Sequence, residues 1–187
     1  MNARHLFLIT QSVLFVLACS RRGEISLRKT EFQRKVGSPS THVRPKRNAT
    51  TSERCEALLP LLEKASKETG VELPLLVGVV RVESSFRTDA RSSAGGRGLT
   101  QVIEATAKAY KCGDLDDPYQ NILCGARVLK SLLDACDGDL ILALSAYNAG
   151  LATIREVRAA RSLPFNMLYV ESVLWSRSRF MINGCKF

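Results

Sequence analysis

The sequence predicts an all-α domain over residues 51–187. Beyond Thr50, apolar residues recur at helical spacing, and segment boundaries carry capping residues, glycine or proline. No run alternates apolar and polar residues as a half-buried strand would, and no internal repeat occurs. A chain of 187 residues suits one compact domain with appendages. We therefore expect one helical domain preceded by N-terminal segments.

Capping and breaker residues delimit the individual helices. The first helix should open at the capping-box pattern of Thr50 and Glu53 and close at Gly70, and Pro60 inside it should kink or split it. A second helix begins near Pro74 and leads to Glu83, and a glycine-rich loop spans residues 87–98. The remaining helices are predicted at residues 99–110, 118–136 with Asp117 as cap, 138–150, 151–160 and 164–180.

The N-terminus is typical of an export signal. Arg4 and His5 precede the apolar residues 6–18, a run that is too short for a membrane span and of the right length for a signal-peptide core. Residues 16–19, "VLAC", resemble a bacterial lipoprotein cleavage site, which would leave a lipid on Cys19. Ordinary cleavage near Ala18 is the alternative. We expect residues 1–19 to direct the chain to the periplasm or cell envelope, either released or anchored through Cys19.

Most of the positive charge lies between this signal and the predicted domain. Residues 20–50 hold nine basic and two acidic residues, so they contribute +7 to the formal net charge of +9. Glycine and proline interrupt the segment, which predicts a flexible basic linker. Because the domain itself is close to neutral, its charge does not indicate a nucleic-acid-binding protein.

The cysteines of an exported chain are candidates for disulfides. Cys112 and Cys124 are the best local pair, and closing so small a loop would contribute about 3 kcal/mol. An odd number of cysteines beyond Cys19 leaves one thiol free or paired with another chain. No CxxC pair occurs, and the spacings do not suit a zinc site. Pairing among the whole set stays open: Cys55, Cys112, Cys124, Cys136, Cys185.

Several catalytic chemistries are excluded from the predicted domain. His5 and His42, the only histidines, both precede it, which excludes a Ser-His-Asp triad, a Cys-His pair and a histidine zinc site. No phosphate-binding glycine loop is present. Carboxylates and hydroxyls would have to carry any reaction in this domain.

Glu83 is the carboxylate whose position is unusual. It ends an apolar run, "VGVVRV", and the glycine-rich loop follows closely. A carboxyl group in a partly apolar cleft has a raised pKa and can donate a proton near neutral pH. The alternative is a structural acid that caps a loop or pairs with Arg81 or Arg87.

Four motifs surround this glutamate. They are "VESSF" at residues 82–86, "SSAGGRGLTQV" at 92–102, "NILCGARVL" at 121–129 and "LSAYNAG" at 144–150. In this order they resemble the successive motifs of bacterial lytic transglycosylases of the soluble-transglycosylase (SLT) type. The resemblance implies a lysozyme-like (goose-type) helical domain with a substrate cleft. It further implies cleavage of the β-1,4 bond between N-acetylmuramic acid and N-acetylglucosamine in peptidoglycan, with formation of 1,6-anhydromuramic acid and without a cofactor.

The resemblance also assigns roles to individual residues. Glu83 would be the single catalytic acid and base, and Asn121 would hold a loop or helix start. Tyr147 could instead belong to the core, and Asn148 could simply end a helix. The implied substrate-binding residues are Ser84, which would support the acid or contact the sugar; Gly98, Leu99 and Gln101, which would form the cleft wall; Tyr147 and Asn148, which would contact substrate; and Tyr169, which would face the acid.

Two features depart from the family pattern. Thr100 stands where methionine is usual, which would remove a flexible apolar side chain from the groove wall and alter sugar affinity. Residues 164–174, which contain Tyr169, match their motif only loosely.

Two other functions stay open. A lysozyme-like hydrolase with the same fold would let water attack, and should have a second carboxylate, for which Asp89 is the only acid in the adjoining loop. A non-catalytic peptidoglycan-binding component of a secretion apparatus would keep the groove without turnover. Small enzymes of this family often accompany type III or type IV secretion, pilus or conjugation machines, so the resemblance makes such an apparatus a candidate partner beside the glycan strands.

Overall fold

The computed structural model describes residue 45 and residues 48–187. The predicted signal segment with Cys19, and most of the predicted linker, lie outside the described residues. The all-α prediction is confirmed for the described part, which contains two isolated β-bridges and no strand. None of its helices combines the length and the apolar character that a membrane span requires. The helices of the described residues are α1 (Thr51–Thr69), α2 (Leu73–Ser84), α3 (Glu104–Ala109), α4 (Pro118–Ala135), α5 (Leu140–Ala149), α6 (Ala152–Ala160) and α7 (Met167–Asn183).

Helix α1 begins with the predicted capping box. The Thr50 hydroxyl accepts a hydrogen bond from the Glu53 amide at 3.2 Å, and the Glu53 carboxylate accepts one from the Thr50 amide at 2.6 Å. Gly70 ends the helix in the left-handed conformation, with φ of 73°. Of the two effects expected of Pro60, a kink or a split, the split does not occur, because α1 continues through this residue. Leu58 and Leu62, on either side of this exposed proline, are fully buried and hold both halves of α1 against one core.

Helices α2 and α7 form the central pair. Most of α2 is buried, and Gly78 allows a close approach, because a Cβ atom there would lie 2.7 Å from the carbonyl oxygen of Val173 in α7. A disulfide between Cys55 and Cys185 joins α1 to the segment that follows α7. The C-terminal end of α2 is thereby held among α1, α7 and the chain terminus.

The helix predicted at residues 99–110 begins only at Glu104. Residues 99–102 form turns, since Gln101 adopts a left-handed conformation with φ of 51° and the Arg97 amide donates to the carbonyl of Val102 at 3.1 Å. This loop packs on α4, whose N-cap is Asp117 as predicted; its carboxylate accepts from the Gln120 amide at 2.9 Å.

The predicted pairing of Cys112 with Cys124 is confirmed, and it ties the segment after α3 to α4. Cys136, at the end of α4, is buried and belongs to neither disulfide.

Candidate active site

Glu83 lies at the C-terminal end of α2, in the last turn. The helix stops because Ser85 and Phe86 both adopt left-handed conformations, with φ of 51° and 61°. The fully buried Phe86 anchors the chain there, and the carbonyl of Ser85 accepts a hydrogen bond from Nε of Arg54 at 2.9 Å. Glu83 is therefore half-buried at a fixed position on the rim of the core.

Burial raises the pKa of the Glu83 carboxyl above its ordinary value, because desolvation disfavours the charged form. A hydrogen bond from Tyr169 acts in the opposite direction and offsets part of this rise. Within residues 48–187, no arginine or lysine forms a salt bridge with Glu83. The sequence analysis left open that Glu83 is a structural acid paired with Arg81 or Arg87. Neither ion pair occurs in the described part of the chain.

Tyr169 of α7 faces the acid. Its hydroxyl donates a hydrogen bond of 2.7 Å to Oε1 of Glu83. Burial and then the neighbouring Glu83 charge raise the pKa of Tyr169 well above its usual range. The phenol accordingly remains a proton-bearing donor at any pH at which Glu83 titrates.

Tyr147 of α5 is the third member of this cluster. Its hydroxyl donates to the carbonyl oxygen of Thr100 at 2.9 Å, while its ring packs against the hydrophobic core. Burial, followed by the charge of Glu83, raises the pKa of Tyr147 above its usual range. The same side chain therefore serves the core and adjoins the acid, so the two expectations for Tyr147 do not exclude each other.

The loop before α3 is held by Asn121 of α4. The side-chain oxygen of Asn121 accepts from the Thr100 amide at 2.9 Å, and its Nδ2 donates to the carbonyls of Arg97 and Leu115 at 2.9 and 3.0 Å. Gly98, with φ of 67°, lies so close that a Cβ atom would meet Nδ2 of Asn121 at 2.3 Å. Asn121 thus holds the loop, as the sequence suggested.

Three residues of this loop were predicted to form the cleft wall: Gly98, Leu99 and Gln101. Of these, Gln101 is half-buried and the other two are buried. The side-chain nitrogen of Gln101 donates to the carbonyl of Gly98 at 2.8 Å. This hydrogen bond within the loop fixes the direction of the Gln101 side-chain amide.

Three sequence-based expectations need correction. Thr100 does not line a groove, because it is fully buried, its hydroxyl bonds to Asn121 at 2.8 and 3.0 Å, and its side chain fills the space that Gly125 leaves open. Leu99 is also fully buried and belongs to the core. Ser84 is buried, and its hydroxyl donates to the carbonyl of Val80 at 3.1 Å, so it is placed neither on the acid nor toward a sugar.

Asn148 is exposed at the end of α5 and has a partner that the sequence analysis missed. Nδ2 of Asn166 donates to the side-chain oxygen of Asn148 at 2.9 Å and to the carbonyl of Ser145 at 3.2 Å, and the Ser145 hydroxyl donates to Oδ1 of Asn166 at 2.7 Å. This arrangement leaves the Asn148 amide nitrogen available as a donor. A polar residue directly before a helix start was the only sequence signal for Asn166.

The described residues contain no cluster of three or more histidine, cysteine, aspartate or glutamate side chains that could hold a metal ion. What the site offers is one carboxyl group with a raised pKa, two phenols beside it, and an exposed amide on the adjoining helix. That set can donate and accept a single proton and can hydrogen-bond a polar ligand.

The sequence matches a family model over the segment that contains this site. The model of the transglycosylase SLT domain matches residues 60–164, which include Glu83, Tyr147 and Asn148. The solved structure of an inactive mutant of the lytic transglycosylase Slt from Pseudomonas aeruginosa superimposes with a TM-score of 0.58 at 26% identity, over 67% of this chain and 24% of that one. The 70 kDa soluble lytic transglycosylase of Escherichia coli, at 20% identity, shares the fold with a TM-score of 0.60 over 71% of this chain and 28% of that one.

Curated relatives agree with this assignment. The chain is 34% identical over 114 residues to the transglycosylase of Enterobacteria phage PRD1, covering 61% of this chain and 43% of that protein. It is 32% identical over 103 residues to the membrane-bound lytic murein transglycosylase F of Cellvibrio japonicus, covering 52% and 21%. It spans less than half the length of these two relatives. Since the family model covers more than half of its residues, the chain belongs to the transglycosylase SLT domain family and has the lysozyme-like helical fold of that family.

Proposed function

We propose that the chain is a peptidoglycan lytic transglycosylase in which Glu83 is the only catalytic acid and base. The observation that carries the proposal is the hydrogen bond from Tyr169 to a half-buried Glu83 whose pKa is raised by desolvation. A carboxyl group in that state holds its proton closer to neutral pH, which is what proton donation to a leaving oxygen requires.

The proposed reaction passes one proton through Glu83. The protonated carboxyl gives its proton to the glycosidic oxygen between N-acetylmuramic acid and N-acetylglucosamine, and the bond from that oxygen to the muramyl C1 breaks. The acetamido oxygen of the muramyl residue shields the positive charge that develops on the sugar. The Glu83 carboxylate then removes the proton of the muramyl C6 hydroxyl, whose oxygen bonds to C1 and closes the 1,6-anhydro ring. No water is consumed, and Glu83 ends protonated.

The charge distribution around Glu83 favours this reaction over hydrolysis. Glycosidases that use water generally flank the scissile bond with two carboxylates. None of the other carboxylates in residues 48–187 contributes to the shift in the Glu83 pKa. Asp89, the acid that a hydrolase would need, is exposed in the loop beyond α2. A mechanism in which the substrate supplies its own nucleophile needs only the carboxyl group that is present.

The neighbouring side chains receive roles that match their contacts. Tyr169 stabilises the Glu83 carboxylate after the first proton transfer, since hydrogen bonds to ionised groups are stronger than those to neutral ones. Asn148 binds the N-acetyl group of a sugar through its outward amide nitrogen, and Asn166 holds that amide in orientation. Tyr147, Gly98 and Gln101 form the adjoining wall of the cleft.

The setting of the reaction is part of the proposal. We infer that residues 51–187 form the catalytic domain, that residues 1–19 direct export to the periplasm or envelope, and that the substrate is the glycan strand. Local opening of the wall for an envelope-spanning secretion, pilus or conjugation machine would suit a domain of this size. These inferences rest on the sequence patterns and on the family to which the chain belongs.

Clearing of purified peptidoglycan sacculi tests the assignment of the acid. The full-length chain should reduce the turbidity of a sacculus suspension, and Glu83→Gln, which keeps the size and the hydrogen bond from Tyr169, should abolish that activity. Asp89→Asn is the matched control and should retain it. Loss of clearing in Asp89→Asn would instead favour the two-carboxylate hydrolase, and sacculus binding without clearing by the unmodified protein would favour a non-catalytic binding component.

A further inference from the structure

The large hydrophobic side chains that are exposed in this protein are concentrated in one part of the chain. Within residues 48–187, all of them lie in α7 or in the segment just before it. They are Leu163, Phe165, Leu168, Trp175, Met181 and Ile182, with exposed fractions between 53% and 82%. Single exposed apolar residues are normal on a protein surface, whereas a contiguous group of them marks an interaction surface.

Leu168, Trp175 and Ile182 lie along one face of α7. They are spaced seven residues apart, and seven residues make about two turns of an α-helix, so their side chains share one side. Two charged residues belong to the same face: Glu171 lines one pocket together with Leu168 and Trp175, and the guanidinium carbon of Arg179 lies 5.7 Å from the ring centroid of Trp175. We call these five residues the α7 stripe.

The two charged residues of the α7 stripe have no counter-ion in the described part of the chain. Glu171 is exposed, and neither Glu171 nor Arg179 forms a salt bridge within residues 48–187. They are eight positions apart, which is about 12 Å along a helix, so they do not pair with each other. Each therefore has a charge that a partner of opposite sign can neutralise.

A carboxylate would be favoured beside Arg179. The guanidinium carbon of Arg81 lies 4.8 Å from the ring centroid of Trp175, so two cations approach the same ring. Burial and then the charge of Arg179 lower the pKa of Arg81, because the two positive groups repel each other. A negative group from outside the chain would reduce this repulsion.

The α7 stripe is symmetric about Trp175. Leu168 lies seven positions before this residue and Ile182 seven after it, while Glu171 lies four before and Arg179 four after. In two antiparallel helices related by a twofold axis at Trp175, a residue before Trp175 in one copy faces the residue equally far after it in the other. Leu168 would then pack on Ile182, and Glu171 would pair with Arg179, each contact occurring twice.

We propose that the α7 stripe binds a second copy of this chain as an antiparallel, twofold-symmetric helix pair, with Trp175 at its centre and reciprocal ion pairs between Glu171 and Arg179. The symmetry favours this occupant over an unrelated protein or a lipid surface, because a face with apolar residues at matching positions and opposite charges at matching positions is complementary to itself. The remaining exposed apolar residues also meet, since the antiparallel arrangement brings the start of one α7 to the end of the other.

Sedimentation velocity of the full-length chain over a range of concentrations measures this association. We expect a reversible equilibrium between monomer and dimer with a micromolar dissociation constant, because one helix face is a smaller surface than that of a permanent dimer. Trp175 is the only tryptophan of the chain, so its fluorescence reports on the centre of the interface. Its emission should move to shorter wavelength as the dimer forms, whereas a chain that stays monomeric at millimolar concentration would overturn the inference.

Charge reversal tests the register of the helix pair. In Glu171→Arg alone and in Arg179→Glu alone, both ion pairs of the dimer become contacts between like charges, so the dissociation constant should rise about tenfold or more. An equimolar mixture of the two variants should associate as tightly as the unmodified chain, because every charge again faces its opposite. Glu63→Arg is the matched control, since Glu63 is exposed on α1 and forms no salt bridge within residues 48–187, and it should leave the dissociation constant unchanged.

Several outcomes would overturn the proposed dimer. They are association that both single reversals leave unchanged, failure of the mixed variants to associate, and a monomer whose Trp175 emission shifts only when phosphatidylglycerol vesicles are added, which would assign the stripe to a lipid surface. Arg179→Glu carries a risk of misfolding, because Nε of Arg179 is buried. Trp175→Glu places two carboxylates at the twofold axis and changes an exposed residue, so it should give a monomer on its own, and a dimer of this variant would equally overturn the inference.

The association does not depend on the proposed reaction. Neither Glu83 nor Tyr169 belongs to the α7 stripe, and sedimentation requires no catalysis. A dimer that leaves sacculi intact would overturn the proposed reaction alone, and a monomer that clears them would overturn the proposed dimer alone.

Discussion

The hydroxyl of Tyr169 donates a hydrogen bond of 2.7 Å to Oε1 of Glu83, although the two residues are 86 positions apart in the chain. The contact crosses the packed pair of α2 and α7, where Gly78 lets the backbones approach closely. The acid therefore has a donor whose position is set by the core rather than by a flexible loop. Its protonation depends on the opposing effects of burial and this hydrogen bond.

Tyr169→Phe tests the hydrogen bond. Its removal should raise the pKa of Glu83 further, because the bond favours the carboxylate form. Activity requires the protonated acid and falls as pH rises through its pKa, so the alkaline limb of the kcat/KM profile should move to higher pH. We expect kcat to fall by about tenfold to a hundredfold, the value of a hydrogen bond to a charged group. An alkaline limb that stays in place or moves to lower pH would contradict this account.

Glu83→Gln tests the burial of the acid through stability. A carboxyl group with a raised pKa in the folded state contributes stability that is fully present below its unfolded pKa of about 4.3 and is lost as pH rises through the folded pKa. Glutamine does not titrate, so the Tm of the variant minus the Tm of the unmodified protein should be larger at pH 8 than at pH 4. Thermal unfolding followed by circular dichroism at both pH values measures the difference. A Tm difference that does not change with pH would show that Glu83 is solvated.

Asn166→Ala tests the orientation of Asn148. The lost hydrogen bond should release the Asn148 amide and raise KM for a soluble glycan by about fivefold, with a smaller effect on kcat. Asn148→Ala should raise KM at least as much. The double variant should be little worse than Asn148→Ala, since Asn166 acts through Asn148. Additive effects of the two substitutions on KM would mean that Asn166 acts independently.

The two disulfides should differ in their contribution to stability. Cys55 and Cys185 are 130 positions apart, whereas Cys112 and Cys124 are separated by 12. A disulfide lowers the conformational entropy of the unfolded chain, and the effect grows with the length of the loop that it closes. Replacing the first pair with serine should therefore lower the free energy of unfolding by about 5 kcal/mol, and replacing the second pair by about 3 kcal/mol. Urea unfolding of the two double variants measures both values. A larger loss from the short loop would contradict the entropic account.

Position and resemblance together singled out Glu83 and Tyr169. An acid that ends an apolar helix is unusual, and the resemblance implied that Tyr169 faces this acid, which agrees with the hydrogen bond between them. Leu99 and Thr100 were misassigned, since the loop turns at Gln101 with φ of 51° and directs their side chains into the core. A pattern along the chain does not specify which of two adjacent loop residues faces the cleft.

Long-range contacts explain the remaining omissions. The helix predicted at residues 99–110 is too long, because its first residues form turns. The Thr100 amide in these turns donates a hydrogen bond to the side chain of Asn121, 21 positions away in the sequence. The hydrogen bond from Asn166 to Asn148 forms only because the start of α7 packs against the end of α5. The contacts of Arg81 with the rings of Trp175 and Phe187 likewise join residues that are far apart in the sequence. Helix caps and the short disulfide, which depend on nearby residues, were predicted from the sequence.

The mass of the soluble products from peptidoglycan sacculi tests the central claim most directly. A digest by the full-length chain in water enriched in ¹⁸O should yield muropeptides that end in 1,6-anhydromuramic acid and carry no label, and Glu83→Gln should yield none. Muropeptides with reducing ends, heavier by one water molecule and labelled with ¹⁸O, would contradict the claim and show that water is the nucleophile.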